Sequence, residues 1–502
     1  MSLLDRRRFL RQAALFGGGT LIAPSVEAAE RIFRDPYVPL ARPNGAPIRV
    51  RGRVTAGGRG LAGVAVTDGT SVAATDRMGQ YTLIADSSQR FVSVSVPAGY
   101  RVPTGPHGTA AFHRPLAPDA RGEMSAAFEL DALSGGDTEH SFLLLADPQT
   151  QNAFEVGRLH AETVPDVRET VRGLAGRPVF GVACGDIMFD DLTLYPEFER
   201  AVRDMGVPFF QVIGNHDLEF KTGSDEASAG TFERHFGPTY YSFERGEIHY
   251  VVLDDVFWHG QGYLGYIGQR QQDWLKADLA RVERGRTVVV FLHIPVLSTR
   301  PTRNGADNPG IGSSVANREA LYRLLEPYHA YVLSGHTHEH ERHADGGPRH
   351  HVHGTVCGAW WSGDICYDGT PNGYAVYDVK GSELRWRYKA TGKPADWQMR
   401  VYPRGADASA PADVVANVWD ADPSWTVVWY EDGERRGPMS RRLGLDPLSV
   451  EQHTGPNKPP RRAWVEPGKT EHLYYAPVSP GAREVRVEAT DPHGRVYTEA
   501  LR

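Results

Sequence analysis

Five short clusters of acids, amides and imidazoles stand out in this chain. They are Asp147-Pro148-Gln149, Gly185-Asp186 with Asp190 and Asp191 behind it, Gly214-Asn215-His216-Asp217, His293, and Gly335-His336-Thr337-His338. Carboxylate and amide oxygens mixed with imidazole nitrogens suit divalent ions such as Mn, Fe or Zn. A pair of such ions can clamp both the attacking and the leaving oxygen of a phosphate ester, so the chemistry these residues imply is phosphoester hydrolysis.

The clusters need elements that bring them together. Each closes an apolar, β-prone run, at residues 142–145, 179–184, 209–213, 288–292 and 331–333. In an open α/β sheet the carboxyl ends of such strands converge on one rim, where ligands bind. Helical patterns at 164–174, 196–205, 269–284 and 316–325 alternate with these runs, and Asn317 is the candidate cap of the last. Residues 138–400 therefore read as an α/β domain.

Shorter alternating strands flank it. Before it lie runs at 48–54, 64–67, 80–84 and 91–96, with turns at Gly57-Gly58, Asp68-Gly69 and 76–79; a β-sandwich over 48–135 accounts for them. That stretch resembles the small β-sandwich modules found beside carboxypeptidases and bacterial surface enzymes. After it, runs at 414–420, 426–430, 472–476 and 483–490 suggest a second sandwich over 405–502, with a loop at 455–462.

A chain of 502 residues is too long for one core and fits several domains of ~100–200 residues. With 55 basic and 62 acidic residues the net charge is −7, so there is no polybasic footprint and no nucleic-acid partner is expected. Residues 1–29 read as a twin-arginine-type export signal: Asp5-Arg6-Arg7-Arg8-Phe9-Leu10-Arg11, an apolar stretch at 13–23, and a small-residue site near Val26-Glu27-Ala28. The Pro-rich stretch 30–47 reads as a linker. No later apolar run reaches the ~18 residues that span a bilayer, so the expectation is a protein exported by the twin-arginine machinery to the periplasm or beyond, with no transmembrane segment once matured. Of three cysteines, Cys184 ends a strand and belongs in the core, while Cys357 and Cys366 either form one bridge or are buried free thiols.

The ordered set Asp-x-Gln, Gly-Asp, Gly-Asn-His-Asp, His and Gly-His-x-His resembles the calcineurin-like metallophosphoesterase superfamily, in particular its multidomain bacterial members with a β-sandwich on each side. The resemblance covers about 140–390 by motif and the flanks by domain order. It implies a central two-sheet α/β sandwich between two all-β sandwiches. It also implies two divalent ions of Mn, Fe or Zn, with Asp186 bridging both, Asp147, Gln149 and His338 completing one site, and Asn215, His293 and His336 the other. A metal-bridged hydroxide would attack phosphorus, and His216 would be the acid-base residue. Asp190 or Asp191 is the candidate carboxylate orienting His216, each being equally suited to a helix N-terminus. Asp217 and Thr337 can serve simply to shape their turns. The commonest first motif is Asp-x-His; here Gln149 offers a carbonyl oxygen instead, a harder donor that tilts that site toward Mn or Fe.

Around the rim, residues 299–315 form a long polar loop able to gate the site. A Trp-rich turn like Trp360-Trp361 lies near the metal centre in the related proteins, and on a strand one of the two would face the pocket. Asn372 and Tyr374 are further candidate substrate contacts. His340, His343, His350, His351 and His353 read as solvated hairpin positions. The function expected is hydrolysis of small or lipid-linked phosphate mono- or diesters; the alternative is a cell-envelope binding protein with a catalytically impaired phosphoesterase core.

Overall fold

The computed structural model describes residues 45–307, 310–344 and 346–502. The expected export signal and most of the linker lie outside the described residues. Among these residues no helix is long and apolar enough to cross a membrane.

Two sheets pack face to face at the centre. One has five strands in the order Phe209–Val212, Val179–Cys184, Glu139–Leu145, Gly373–Lys380, Glu383–Ala390, the first three parallel and the last two antiparallel. The other has six, in the order Tyr241–Arg245, Ile248–Val252, Thr287–Phe291, His329–Ser334, Arg349–Val352, Glu341–His343. The inner strands are apolar almost without interruption because both of their faces are covered. On the inner side, Phe210 stacks on Phe243 with centroids 3.9 Å apart and Phe142 on Tyr377 at 4.5 Å, while Phe180, Tyr250 and Phe291 fill the gaps edge-on. On the outer side, Leu143 and Leu145 meet helices carrying Val167, Phe198, Val202 and Phe236. Val251, Val288 and Val290 meet helices carrying Trp274, Leu275, Leu321 and Leu325. The result is four layers, with helices outside two sheets.

The helix Tyr195–Met205 shows how the sequence sets such an element. Pro196 occupies its first turn, its buried residues Tyr195, Phe198, Ala201, Val202 and Met205 recur at helical spacing, and Gly206 ends it at φ 82, a left-handed value that glycine adopts without a Cβ penalty. The helix Arg318–Leu325 differs from expectation at its start. Asn317 does not cap it; its Oδ1 accepts from the Ile267 amide at 3.0 Å and its Nδ2 donates to the Ile267 carbonyl at 2.8 Å. The side chain bonds across to a neighbouring loop instead.

The flanks are all-β. The first comprises a sheet built on Pro47–Ala56 and Gln80–Asp86 and a second in the order Val72–Ala74, Ala65–Thr67, Phe91–Val94, His113–Pro115. It is joined to the centre: the Ala110 amide donates to the Phe209 carbonyl at 2.8 Å, and Phe112 packs 4.4 Å from Tyr241. The last flank has two four-stranded sheets, one centred on Asp413–Asn417 and Lys469–Pro477, the other on Thr426–Glu431 and Val485–Thr490, around their own core of Trp425, Trp429, Tyr474 and Tyr497.

One expectation is corrected here and one open choice is resolved. His340, His350, His351 and His353 are buried rather than solvated, because Arg349–Val352 lies inside the six-stranded sheet, between His329–Ser334 and Glu341–His343. His351 and His353 each pair with the Tyr377 hydroxyl at 2.8 Å, and only His343 of the group is partly exposed. Cys357 and Cys366 are free, buried thiols, as is Cys184.

His249 ties a central strand to the helix Gln269–Leu279, with Nε2 2.9 Å from Asp278 and Nδ1 2.7 Å from Glu244. Burial lowers its pKa, but the two carboxylates override that and raise it to about 10. The unfolded chain titrates near ~6.5, so this contribution to stability is complete below that pH and is lost as pH rises toward 10. Wild-type Tm should fall across this interval, and His249→Gln should have a lower Tm at pH 6 and a shallower fall. Parallel Tm-against-pH curves would contradict the account.

Candidate metal centre

The five clusters meet at the strand ends, in sharp turns. Asp147, Gln149, Asp186, Asp190, His336 and His338 all have left-handed φ, between 44 and 72. Such values are uncommon for residues with a Cβ and persist where surrounding bonds over-determine them. Those bonds are present: the Gln149 amide donates to the Asp186 carbonyl at 2.9 Å, the His216 amide to Asp186 Oδ1 at 2.9 Å, and the His336 amide to Asp147 Oδ2 at 2.9 Å.

The glycines of the motifs are there for room. A Cβ on Gly185 would sit 2.2 Å from His293 Nδ1, one on Gly214 2.3 Å from Asp186 Oδ1, and one on Gly335 2.3 Å from Asp147 Oδ2. Each strand end can approach its neighbour's side chain only because these positions lack a side chain.

The donors form two adjoining groups. In one, His293 Nε2 lies 3.2 Å from Asp186 Oδ1, 3.1 Å from Asn215 Oδ1 and 3.2 Å from His336 Nδ1; ligand atoms of Asp186, His293 and His336 all fall within 4.8 Å of one another. In the other, His338 Nε2 is 3.5 Å from Asp147 Oδ1, is buried, and has no hydrogen-bond partner among the described residues. Asp147, Asp186, Asn215, His293 and His338 are at most 2% exposed.

Each imidazole has one nitrogen tied to a backbone carbonyl: His293 Nδ1 to Cys184 at 3.0 Å, His336 Nε2 to Gly312 at 2.7 Å, and His338 Nδ1 to Gly358 at 2.5 Å. A ring that donates one N–H outward turns the lone pair of its other nitrogen inward, which is how metal-ligating histidines are held. Electrostatics agree. Burial would raise the Asp186 carboxyl, but His293, His216 and His336 outweigh it and hold it well below the ordinary range. Burial would lower His293, yet Asp186 lifts it to about 10. Two buried carboxylates, an amide oxygen and three inward-facing imidazole nitrogens fit a pair of divalent ions, and the His338 Nε2 is left without a hydrogen-bond partner among the described residues.

Gln149 departs from its expected part. Its Nε2 donates to Asp186 Oδ2 at 3.0 Å, while its oxygen faces the Cys357 thiol at 3.6 Å. In this placement its amide N–H orients a carboxylate, and its oxygen is turned to the thiol. His216, partly exposed, pairs through Nδ1 with Asp190 Oδ1 at 2.7 Å and packs 4.3 Å from the Phe189 ring. Asp191 instead accepts from the Thr193 amide at the start of a short helix. Asp217 accepts from the amides of Ile187, Met188 and Gly214, and Thr337 is buried in its turn.

The rim residues divide. Trp360 and Trp361 both have left-handed φ, 52 and 58, so the pair is a turn and does not alternate as a strand would. The Trp360 ring stacks on His338 at 4.2 Å. Trp361 is buried, donates to the Pro148 carbonyl at 3.0 Å, and braces the first motif from behind. Two expected substrate contacts are corrected. The Tyr374 hydroxyl is held in the interior by Asp166 at 2.6 Å and Thr170 at 2.7 Å. Asn372 is buried against the Trp turn, its amide donating to the Asp364 carbonyl at 2.9 Å. From the 299–315 loop, Gly312 reaches His336, and Arg303 pairs with the buried Glu339 and Glu341.

Sequence reasoning missed Asp255, which is buried and accepts from the amides of His293 and Ile294 at 3.1 and 3.2 Å. Its signal was the one used elsewhere, an acid closing the apolar run 248–253.

Asp186→Ala should lose metal from both positions, whereas Gln149→Ala, which removes only a donor to that carboxylate, should weaken binding by ~10–100-fold. Metal content measured by mass spectrometry after dialysis against a free-metal series checks both. Wild-type retention by a folded Asp186→Ala protein would overturn the arrangement.

Comparison with known proteins bears on the whole chain. The family model described as calcineurin-like phosphoesterase matches residues 140–340, and those for the N terminal and C terminal of calcineurin-like phosphoesterase match 48–133 and 350–497. Human serine/threonine-protein phosphatase CPPED1 is 27% identical over 209 residues, 37% of this chain and 63% of the relative. Purple acid phosphatase 22 of Arabidopsis thaliana is 30% identical over 176 residues, 32% of this chain and 37% of the relative. The chain thus spans less than two thirds of the length of either. A solved dimetal phosphatase from Danio rerio is similar over 50% of this chain and 96% of its own, at 17% identity and a TM-score of 0.35. With its central segment and both flanks matched in order, this chain belongs to the calcineurin-like phosphoesterase family.

Proposed function

We propose that this protein hydrolyses small or lipid-linked phosphate mono- or diesters at a two-metal centre, and that it is exported by the twin-arginine route. The observation that carries the reading is the donor set: three imidazoles, each locked by a backbone carbonyl, aimed at buried Asp147 and Asp186. Asp147, Asp186 and His338 would hold one ion, and Asp186, Asn215, His293 and His336 the other. When bound, such ions supply Lewis acidity toward phosphoryl oxygens and acidify water.

The chain's own residues do the rest. His216 stands beside this cluster, its amide bonded to Asp186 Oδ1. Asp190 accepts from Nδ1, which leaves Nε2 as the position for the proton handed to a leaving oxygen. Burial lowers the His216 pKa, but Asp186 and the bonded Asp190 outweigh it and favour the protonated ring. Phe189 limits the swing of the imidazole. The −7 charge, without a basic tract, supports small esters over nucleic acid.

The direct test is hydrolysis of p-nitrophenyl phosphate and bis-p-nitrophenyl phosphate by the purified chain, alongside metal analysis, with activity lost on chelation and restored by Mn, Fe or Zn. Metal-loaded protein that cleaves neither would favour the binding-protein alternative. His216→Ala should keep both metals and lose kcat by ~10²–10⁴-fold, least for the best leaving groups; a uniform loss would assign His216 to phosphate positioning. Cell fractionation should find the wild-type chain outside the cytoplasm and an Arg6→Lys, Arg7→Lys variant inside it.

A further inference from the structure

The C-terminal flank reaches the metal centre through one tight turn, residues 462–465, closed by the Val465 amide donating to the Arg462 carbonyl at 2.9 Å. Arg462 has left-handed φ, 58. Its guanidinium lies 4.6 Å over the Phe189 ring, the same ring that packs against His216. Two residues on, the Trp464 ring lies 4.4 Å from Trp360, which stacks on His338. One turn therefore touches both flanks of the centre, each time through a single intervening aromatic ring.

The two side chains do different work. Arg462 donates to Gln151 at 2.9 Å and to the buried Glu155 at 3.2 Å. Its charge is matched, so it clamps the turn and offers little attraction to a phosphate. Trp464 is 42% exposed. A single exposed tryptophan needs no explanation, but this one leans, with its plane tilted by 59°, against an indole that stacks on a metal-centre histidine. Trp360 also has a buried Nε1–H without a partner among the described residues.

We infer that Trp464 and Trp360 form an aromatic ledge that binds the planar organic part of the substrate, so that aryl or heteroaryl phosphate esters are favoured over alkyl ones. This rests on the phosphoester reading. Flat rings gain from stacking on indole faces by an amount that corresponds to about tenfold at most in affinity, and an alkyl chain has no ring to stack.

The test uses the full metal-loaded chain and titration calorimetry with two non-hydrolysable anions, phenylphosphonate and methylphosphonate, together with kcat/KM for aryl and alkyl phosphates. Wild type should bind phenylphosphonate up to about tenfold more tightly than methylphosphonate. Trp464→Ala should abolish most of that preference, Trp464→Phe should keep most of it, and in both variants metal content and methylphosphonate affinity should be unchanged. Equal binding of the two anions by wild type, a preference for alkyl esters, or an undiminished preference in Trp464→Ala would overturn the ledge while leaving hydrolysis intact. Metal-loaded protein that neither binds methylphosphonate nor cleaves any ester would remove the phosphoester reading, and the ledge with it.

Discussion

Burying Asp147 and Asp186 side by side is the constraint on which the rest of the structure turns. Carboxylates taken out of water are strongly unfavourable unless cations or donors surround them, and at their positions neither is more than 1% exposed. Three imidazoles and several backbone amides must therefore be delivered to one point from five separate strands. Strand ends from both sheets can do this only if the sheets pack face to face with their carboxyl ends aligned. The aromatic layer between the sheets sets that alignment, and the left-handed turns then reverse each chain at once so that the ligands point inward. Remote packing and local strain serve the same few atoms.

How much of this could be read from the sequence follows from what kind of signal each part leaves. The inner strands announce themselves as apolar runs, and the observed Val179–Cys184 coincides with the expected run. The motif glycines are legible for the same reason they are needed, since nothing else fits beside His293 or Asp186. Errors arose where a residue's partner is distant in sequence. Asn317 looks like a cap because caps are local, but its partner is Ile267. The histidines from 340 to 353 look like a solvated hairpin because a glycine turn interrupts them, yet a strand from elsewhere covers them. Tyr374 sits near the rim in sequence, but its place on the five-stranded sheet points its hydroxyl at Asp166.

Gln149 is the more instructive departure. The family resemblance puts it at a ligand position as an oxygen donor, and only the placement of its amide decides between ligation and the support of a ligand. The second role keeps the Asp186 carboxylate oriented through a neutral hydrogen bond, and it adds no charge to a site already crowded with titratable groups. The nearby Cys357 thiol, buried and facing the other end of the same amide, helps fix which way round it lies.

The joint between the first flank and the centre has a consequence for how the molecule comes apart. Val50, Val54, Val92 and Phe112 belong to one continuous apolar mass with Phe142, Phe210, Tyr241 and Tyr250, whereas Trp425, Trp429 and Tyr497 form a separate one. Cooperativity follows shared core, not sequence segment. The first two segments should thus melt as one unit and the last as another, and removing the first flank would strip the cover from Phe210, at the edge of the five-stranded sheet that carries Asp147 and Asp186, and from Tyr241, at the edge of the six-stranded sheet facing it.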